Sequence, residues 1–341
     1  MEKTAVVVTS ISAPNQALRA LASGCLEKGY CFIVIGDDAS PPNFQIDGCG
    51  FYDLKGQYET GFELAKLCPA KHYARKNVGY LIAARNGATT IIETDDDNLP
   101  YEEFWQPRRR DQSVATLPQG GWINVYRYFS EANIWPRGFP LDSLKDVPPT
   151  FESLRESDVN CPIQQGLSDN DPDVDAIYRL TSPLPQSFRK ERRIAFTLGS
   201  WCPFNSQNTT WWRDAFPLLY LPAYCSFRMT DIWRSFIAQR IAWTNNWAIL
   251  FHEPTVWQKR NEHNLMLNFR DEVPGYLHNR ELCKALDNLS LNPGVERIND
   301  NLRICYQTLV EMDLVKQREL VLLEAWLEDL DRATSLNFYP V

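Results

Sequence analysis

The 341-residue chain lacks several features that would have assigned it to a class at once. It has no run of about 18 apolar residues, so no membrane-spanning helix is visible. Its nine scattered cysteines include no Cys-x-x-Cys pair, which favours free thiols over a zinc site or a disulfide framework. The net charge of −8 argues against a general nucleic-acid-binding surface. Since the N-terminus also lacks a signal-peptide pattern, we expect a cytoplasmic protein without a membrane span.

The composition is that of an ordinary folded protein, with 44% hydrophobic and 23% charged residues. Because single cores stop growing at roughly 250 to 300 residues, we expect one large domain over residues 1–272 and a smaller C-terminal part over residues 273–341. The 11 tryptophans are numerous for this length. Most are expected in the core, and one or two could stack on a sugar ring.

The first hundred residues alternate between apolar strands and helical patterns. Residues 5–9, 31–35 and 89–93 are predicted strands, and residues 15–28 and 80–87 are predicted helices. This alternation is typical of an α/β fold whose mostly parallel sheet carries helices on both faces. Ligands of such sheets bind beyond the carboxyl ends of the strands.

The later part of the chain has a different pattern. Residues 142–160 are charged and rich in proline, which predicts a surface loop. Residues 280–289, 295–312 and 315–331 have helical periodicity and predict a C-terminal helical extension. Its apolar stripe of Leu320, Leu323, Leu327 and Leu330 predicts a packing face, with a homodimer interface as the alternative.

Acidic residues follow two of the predicted strands. Asp37 comes after the second strand, and the adjacent carboxylates Asp95, Asp96 and Asp97 come after the third. In an extended segment Asp95 and Asp97 point the same way and can share a divalent cation, although a solvated turn is the alternative. Asp37 could bind a ribose or a base, or simply form a turn.

Further polar residues lie in the second half of the chain. Asp173 and Asp175 form an i, i+2 pair that could bind a ligand or pair with Arg179. Asp231 could cap a helix or act as a general base. His252 follows the apolar run 247–251, where a metal ligand would leave a strand, although a single histidine is more often structural. The donors of Gln258, Arg260 and Asn261 suit phosphate or sugar oxygens, although a polar surface turn is the alternative.

Several segments carry a resemblance to known enzymes. Residues 73–80 (YARKNVGY) and 93–98 (ETDDDN) resemble the donor-binding half of GT-A glycosyltransferases, whose Asp-x-Asp element holds Mn²⁺ or Mg²⁺ against a nucleotide diphosphate. Other segments resemble the STELLO family specifically: 124–127 (NVYR), 134–141 (IWPRGFPL), 171–179 (DPDVDAIYR), 205–209 (NSQNT), 227–234 (FRMTDIWR) and 258–264 (QKRNEHN). These motifs occur in the same order over about residues 5–272.

The resemblance implies a metal-dependent glycosyltransferase that moves a sugar from a nucleotide-diphosphate sugar to a glycan or other hydroxyl acceptor. The metal ligands would be Asp95, Asp97 and His252. The catalytic residues would be Asp231, Arg228 and Asp175. The donor would be bound by Thr9, Asp37, Lys76, Asn77, Asp96, Arg137, Asp173 and Arg260.

Two other functions remain open at the level of sequence. The segments around residues 95–97 and 173–175 also resemble reversibly glycosylated polypeptides, which act as nucleotide-sugar mutases. A glycosyltransferase-like scaffold without catalysis is the third hypothesis. The mutase would interconvert sugar rings without an external acceptor, and the scaffold would tolerate loss of the Asp95 and Asp97 carboxylates.

Overall fold

A computed structural model describes residues 3–117, 120–260 and 264–335. The described residues form an α/β fold around one ten-stranded sheet with the strand order β3-β2-β1-β4-β11-β8-β6-β9-β12-β5. The strands are β1 (Thr4–Thr9), β2 (Cys31–Ile35), β3 (Cys49–Tyr52), β4 (Thr90–Thr94), β5 (Asn98–Pro100), β6 (Asp111–Thr116), β7 (Gly121–Trp122), β8 (Arg155–Asp169), β9 (Arg193–Phe196), β10 (Ser200–Trp201), β11 (Asn208–Trp212) and β12 (Trp247–Gln258). The helices are α1 (Gln16–Lys28), α2 (Leu54–Glu59), α3 (Glu63–Leu67), α4 (Lys76–Arg85), α5 (Ala176–Thr181), α6 (Thr230–Thr244), α7 (Leu265–Asp287), α8 (Ile298–Glu311) and α9 (Glu319–Ser335).

The N-terminal part of the sheet has the predicted α/β organisation. Strands β3, β2, β1 and β4 are parallel neighbours, and α1 connects β1 to β2. Asn15 begins α1 by accepting a hydrogen bond from the Leu18 amide, and Gly29 ends it in the left-handed conformation. The carboxyl ends of β1, β2 and β4 therefore meet at one edge of the sheet.

Helix α4 lies unusually close to this part of the sheet. A Cβ atom at Gly79 would lie 2.6 Å from the Val7 Cγ1 atom and 2.9 Å from Ile35 Cγ1. Glycine is therefore needed for the close approach. The same approach brings Lys76, the first residue of α4, beneath the edge where the strands end.

The expectation of a mostly parallel sheet is wrong beyond β4. Strand β11 runs antiparallel to both β4 and β8, and β12 runs antiparallel to β9 and β5, although β8 and β12 are parallel. The predicted surface loop over residues 142–160 is wrong for its last six residues. These begin β8, whose first half is paired with β6 while its side chains stay largely exposed.

The C-terminal helices pack against the sheet-forming part of the chain. Helix α9 contacts α3 and α4, and Trp326 is fully buried. Within the stripe Leu320, Leu323, Leu327 and Leu330, the last three side chains are buried inside the chain, which fits the predicted packing face. A homodimer stays a prediction. Helix α7 continues across the predicted domain boundary at 272/273, and that division also stays a prediction.

None of the helices within the described residues is both long and apolar enough to span a membrane.

Candidate active site

A cleft of about 480 Å³ opens beyond the carboxyl ends of β1, β2 and β4. Its walls come from the loops after these strands, from the start of α6 and from the end of β12. The cleft brings together most of the predicted site residues: Thr9, Asp37, Asp95, Asp96, Asp97, Arg137, Asp173, Arg228, Asp231 and Arg260. The cleft lies at the edge of the parallel strands where ligands of such sheets are expected to bind.

Residues 95–97, which we name the acidic turn, form one wall of the cleft. Lys76 Nζ lies 3.2 Å from Asp95 Oδ1, and Ser10 Oγ donates to Asp96 Oδ2 at 2.6 Å. Gln258 Nε2 donates to Asp97 Oδ1 at 3.0 Å. Burial raises the pKa of Asp95 to about 7, and the charges of Asp97 and Asp96 add to a rise that Lys76 offsets only in part. The ionised form of Asp95 is therefore disfavoured in the absence of a ligand.

A second acidic group lies across the cleft, and we name Arg137, Asp173 and Asp231 the Arg137 clamp. Arg137 Nε and Nη2 each donate to Asp173 at 2.8 Å, while Nη1 and Nη2 donate to Asp231 at 3.0 and 2.9 Å. Burial alone would raise the pKa of both carboxyls, but the charge and hydrogen bonds of Arg137 hold both values below the ordinary range. Both carboxylates are therefore ionised and fixed in place.

Two arginines contribute positive charge to the same cleft. Arg228 Nη2 lies 3.8 Å from Asp173 Oδ1. Neither Arg228 Nη2 nor Arg260 Nε makes a hydrogen bond to the described residues. Burial and the positive charges of Arg179 and Arg228 lower the pKa of Arg260 to about 10, so this side chain stays protonated at neutral pH. These N–H groups of Arg228 and Arg260 are suited to bind anionic oxygens.

Glu272, on α7, orients Arg228 from behind. Its side chain is fully buried and accepts from Arg228 Nε at 3.0 Å, from the Ala176 amide at 2.7 Å and from the Tyr276 hydroxyl at 2.8 Å. Sequence reasoning missed this residue, because a single glutamate within a helix carries no local signal of its partner 44 positions earlier.

An aromatic group forms the wall next to Asp37. The rings of His72 and Tyr73 stack at 5.7 Å, and Phe227 meets both edge-on at 5.2 and 5.1 Å. Asp37 accepts hydrogen bonds from the backbone amides of Lys71 and His72 at 2.9 and 3.0 Å, so it fixes the loop that carries these rings. The aromatic group was not predicted, because Phe227 is far from the other two rings in sequence.

Four predicted site residues lie outside the cleft lining. Lys76 lies behind the wall, where its Nζ contacts two residues of the cleft lining, Asp95 through Oδ1 and Ser206 through its carbonyl oxygen. Asn77 is buried. Its Nδ2 donates to the Leu221 carbonyl oxygen, and its Oδ1 accepts from the Leu221 amide. Asp175 caps α5 through the Tyr178 amide and accepts from Trp135 Nε1 at 2.7 Å. These contacts give Asn77 and Asp175 structural roles and do not place them near a reacting group.

His252 is the clearest correction among the predicted metal ligands. The prediction assumed that the strand ends at residue 251, but β12 continues to Gln258. At roughly 3.3 Å per residue, the six further residues separate His252 from the cleft end of the strand by about 20 Å. Gln258, at the true end of β12, is the residue that contacts Asp97.

Two other expectations concern the cleft. None of the 11 tryptophans, all of which lie in the described ranges, lines it, so stacking of a sugar on an indole is not supported there.

The predicted donor Asn261 lies outside the described residues. Within residues 3–117, 120–260 and 264–335, no group of three His, Cys, Asp or Glu side chains is arranged to hold a metal ion.

Comparison with known proteins bears on this geometry. The family model of the STELLO glycosyltransferases matches residues 228–339. The chain is 26% identical to "Probable glycosyltransferase STELLO2" from Arabidopsis thaliana over 95% of its own length, and 27% identical to "Probable glycosyltransferase STELLO1" from the same plant over 73%. The resemblance to the STELLO glycosyltransferases is confirmed. The chain covers 44% and 34% of the lengths of these two STELLO proteins.

The STELLO match begins at Arg228 and includes α6 to α9. It therefore contains Arg228, Asp231 and Glu272, which join the cleft to the C-terminal helices. The acidic turn precedes the matched segment.

Proposed function

We propose that this chain is a metal-dependent glycosyltransferase of the GT-A type, which moves a sugar from a nucleotide-diphosphate sugar to a hydroxyl acceptor. One observation carries the proposal. The cleft places the three adjacent carboxylates of the acidic turn, with the raised pKa of Asp95, together with the guanidinium groups of Arg228 and Arg260, beyond the carboxyl ends of parallel strands. A diphosphate with its cation has the charges that complement both. The names of the STELLO relatives support the same reaction class.

Asp95 and Asp97 are the residues that would hold the divalent cation, Mn²⁺ or Mg²⁺. Both line the cleft. Burial raises the pKa of Asp95, the charges of Asp97 and Asp96 add to the rise, and a bound cation would favour the ionised carboxylate. Two protein carboxylates fit Mg²⁺, which is commonly bound by one or two carboxylates together with substrate phosphates. The ion would supply positive charge to the departing diphosphate.

The residues around the cation site have separate roles in the proposal. The nucleoside is bound near Thr9 and Asp37, against the aromatic group of His72, Tyr73 and Phe227. Arg228 and Arg260 bind diphosphate oxygens and stabilise the negative charge that grows as the sugar departs. Asp96 helps to fix the acidic turn through Ser10.

Asp231 has a positioning role in this proposal. Its two oxygens accept hydrogen bonds from Arg137, and its lowered pKa makes it a weak proton acceptor. The general-base role predicted from sequence is therefore left out, and so is a catalytic role for Asp175. The Arg137 clamp instead holds the cleft wall next to Arg228, whose carbonyl oxygen accepts from Arg137 Nη1.

The proposal is tested by a thermal-shift and hydrolysis screen of nucleotide sugars with and without Mn²⁺. We expect one nucleotide sugar to stabilise the protein in the presence of the metal, and Asp95→Asn with Asp97→Asn to abolish the effect. Asp38→Asn is the control, because this exposed carboxylate is adjacent to the cleft lining without belonging to it. No response to any nucleotide sugar would favour a non-catalytic scaffold, and ring interconversion without an acceptor would favour a mutase.

A further inference from the structure

A second, smaller cavity of about 90 Å³ lies on the face of the sheet that carries Leu250 and His252. The segment 103–109 covers it. The neighbouring residue Phe251 faces the opposite side and belongs to the main core. No residue that lines this cavity also lines the main cleft. It is therefore a separate compartment.

His252 is the most informative side chain in this cavity. It is 5% exposed, and its Nδ1 atom lies 3.0 Å from the carbonyl oxygen of Glu253. A carbonyl oxygen only accepts, so Nδ1 carries the proton. Burial and the charge of Arg108 lower the pKa of His252 to about 3, which keeps the ring neutral. Its Nε2 atom is consequently an acceptor, and it has no partner among the described residues.

Two other buried polar atoms of the cavity-lining residues also lack partners within the described part of the chain. Arg108 Nη2 makes no hydrogen bond there, although Nη1 donates to Thr210 Oγ1. Glu253 Oε2 has no partner among the same residues, while Oε1 lies 3.6 Å from Arg193 Nη2. Unsatisfied buried polar atoms are costly, so a group of three points to something that satisfies them. The cavity offers one donor and two acceptors.

We propose that this cavity binds vicinal hydroxyl groups, as presented by a small polyol or by one edge of a sugar. A hydroxyl can donate to His252 Nε2 or Glu253 Oε2 and still accept from Arg108 Nη2. An ionised carboxylate ligand has no proton to donate to the two acceptors. A divalent cation would be repelled by the positive charge of the Arg108 guanidinium. The volume suits a molecule of glycerol size and is too small for a nucleotide sugar. The proposal does not depend on the function of the main cleft.

The test uses the full chain with ¹⁵N-labelled histidine and follows the His252 Nε2 resonance by NMR. The probes are glycerol and the isomers 1,2-propanediol and 1,3-propanediol, which differ only in whether the hydroxyls are adjacent. We expect a saturable shift with glycerol and with 1,2-propanediol, and at least about threefold weaker binding of the 1,3 isomer. Glu253→Gln should weaken glycerol binding by roughly tenfold, because it replaces a charged acceptor by a neutral one.

The control variant is His278→Gln, which removes an exposed histidine of α7 and should leave glycerol binding unchanged. Equal binding of the two propanediols would overturn the proposal. Inorganic phosphate that shifts the His252 resonance at lower concentration than glycerol would replace it by an anion site. A crystal soaked in glycerol that shows only ordered water in the cavity would also overturn it.

Discussion

Two groups of carboxylates share the main cleft and differ in how their charge is balanced. In the Arg137 clamp, one guanidinium satisfies Asp173 and Asp231, and both pKa values are lowered. In the acidic turn, burial and the charges of Asp97 and Asp96 raise the pKa of Asp95, although Lys76 Nζ lies 3.2 Å from it. The clamp holds its carboxylates ionised without a ligand. A divalent cation would favour the ionised form of Asp95, which is why we place the cation there.

The largest effect is expected when the clamp loses its cation. Arg137→Met removes the guanidinium that two buried carboxylates share, although Asp173 still accepts from Asn205 Nδ2 and Asp231 from the Ser206 amide. We expect the free energy of unfolding to fall by about 3 to 5 kcal/mol. Urea denaturation measures the change. Arg127→Met, at a less buried arginine in the same region, should cost well under about 1 kcal/mol. Equal losses in the two variants would show that the clamp does not act as an ion cluster.

The acidic turn should respond more weakly and in a different way. Lys76→Met keeps the apolar stem in its buried position and removes the cation next to Asp95, which should cost about 1 to 2 kcal/mol without metal. Added Mn²⁺ should then stabilise the variant more than the wild-type protein, because it supplies the missing charge. Denaturation with and without Mn²⁺ measures this, and equal stabilisation of both proteins would contradict the proposed cation site.

The pH dependence of stability sharpens the contrast. Because Arg137 lowers the pKa of Asp173 and Asp231, its stabilising contribution is present above the ordinary carboxyl pKa, near 4, and is lost as the pH falls below it. The gap in unfolding free energy between wild-type and Arg137→Met protein should therefore narrow by roughly 1 to 2 kcal/mol between pH 7 and pH 3. Urea denaturation at both pH values gives the gap. A constant gap would mean that Arg137 stabilises the fold by packing alone.

The smallest expected effect concerns the support of Arg228. Glu272→Gln removes the charge that orients this guanidinium, and we expect the KM for the nucleotide sugar to rise about threefold to tenfold with a smaller change in kcat. Steady-state kinetics with the donor found in the screen would measure both constants. Glu281→Gln, at an exposed position of the same helix, should change neither. A fall in kcat alone would mean that Glu272 acts on the chemical step.

The sequence predicted the parts of the fold that depend on local patterns. The apolar runs of β1, β2 and β4 and the capped helix α1 lie close to their predicted bounds. Strand β8 was not predicted. Its first residues, 155–160, are mostly polar, and their strand conformation depends on pairing with β6. A segment of mostly polar residues has no alternation of apolar and polar side chains from which a strand could be predicted.

The site shows the same division between local and distant information. The acidic turn could be predicted from local sequence, because its three aspartates come directly after a buried strand. The Arg137 clamp does not, because its three residues lie on separate segments and meet only in the folded chain. The expectation for His252 assumed that the strand ends at residue 251, whereas β12 continues to Gln258 and leaves His252 in the interior of the sheet.

Helix α7 limits how far this protein can be shortened from its C-terminal end. It begins at Leu265, contributes Glu272 behind Arg228, and ends where Asp287 accepts from Trp201 Nε1 at 3.2 Å. A truncation at residue 272 would end this helix after about two turns and remove residues 273–287, which include the buried Leu282, Cys283 and Leu286. The smallest unit that keeps Arg228 in position is therefore one that retains the whole of α7 together with the helices packed on it.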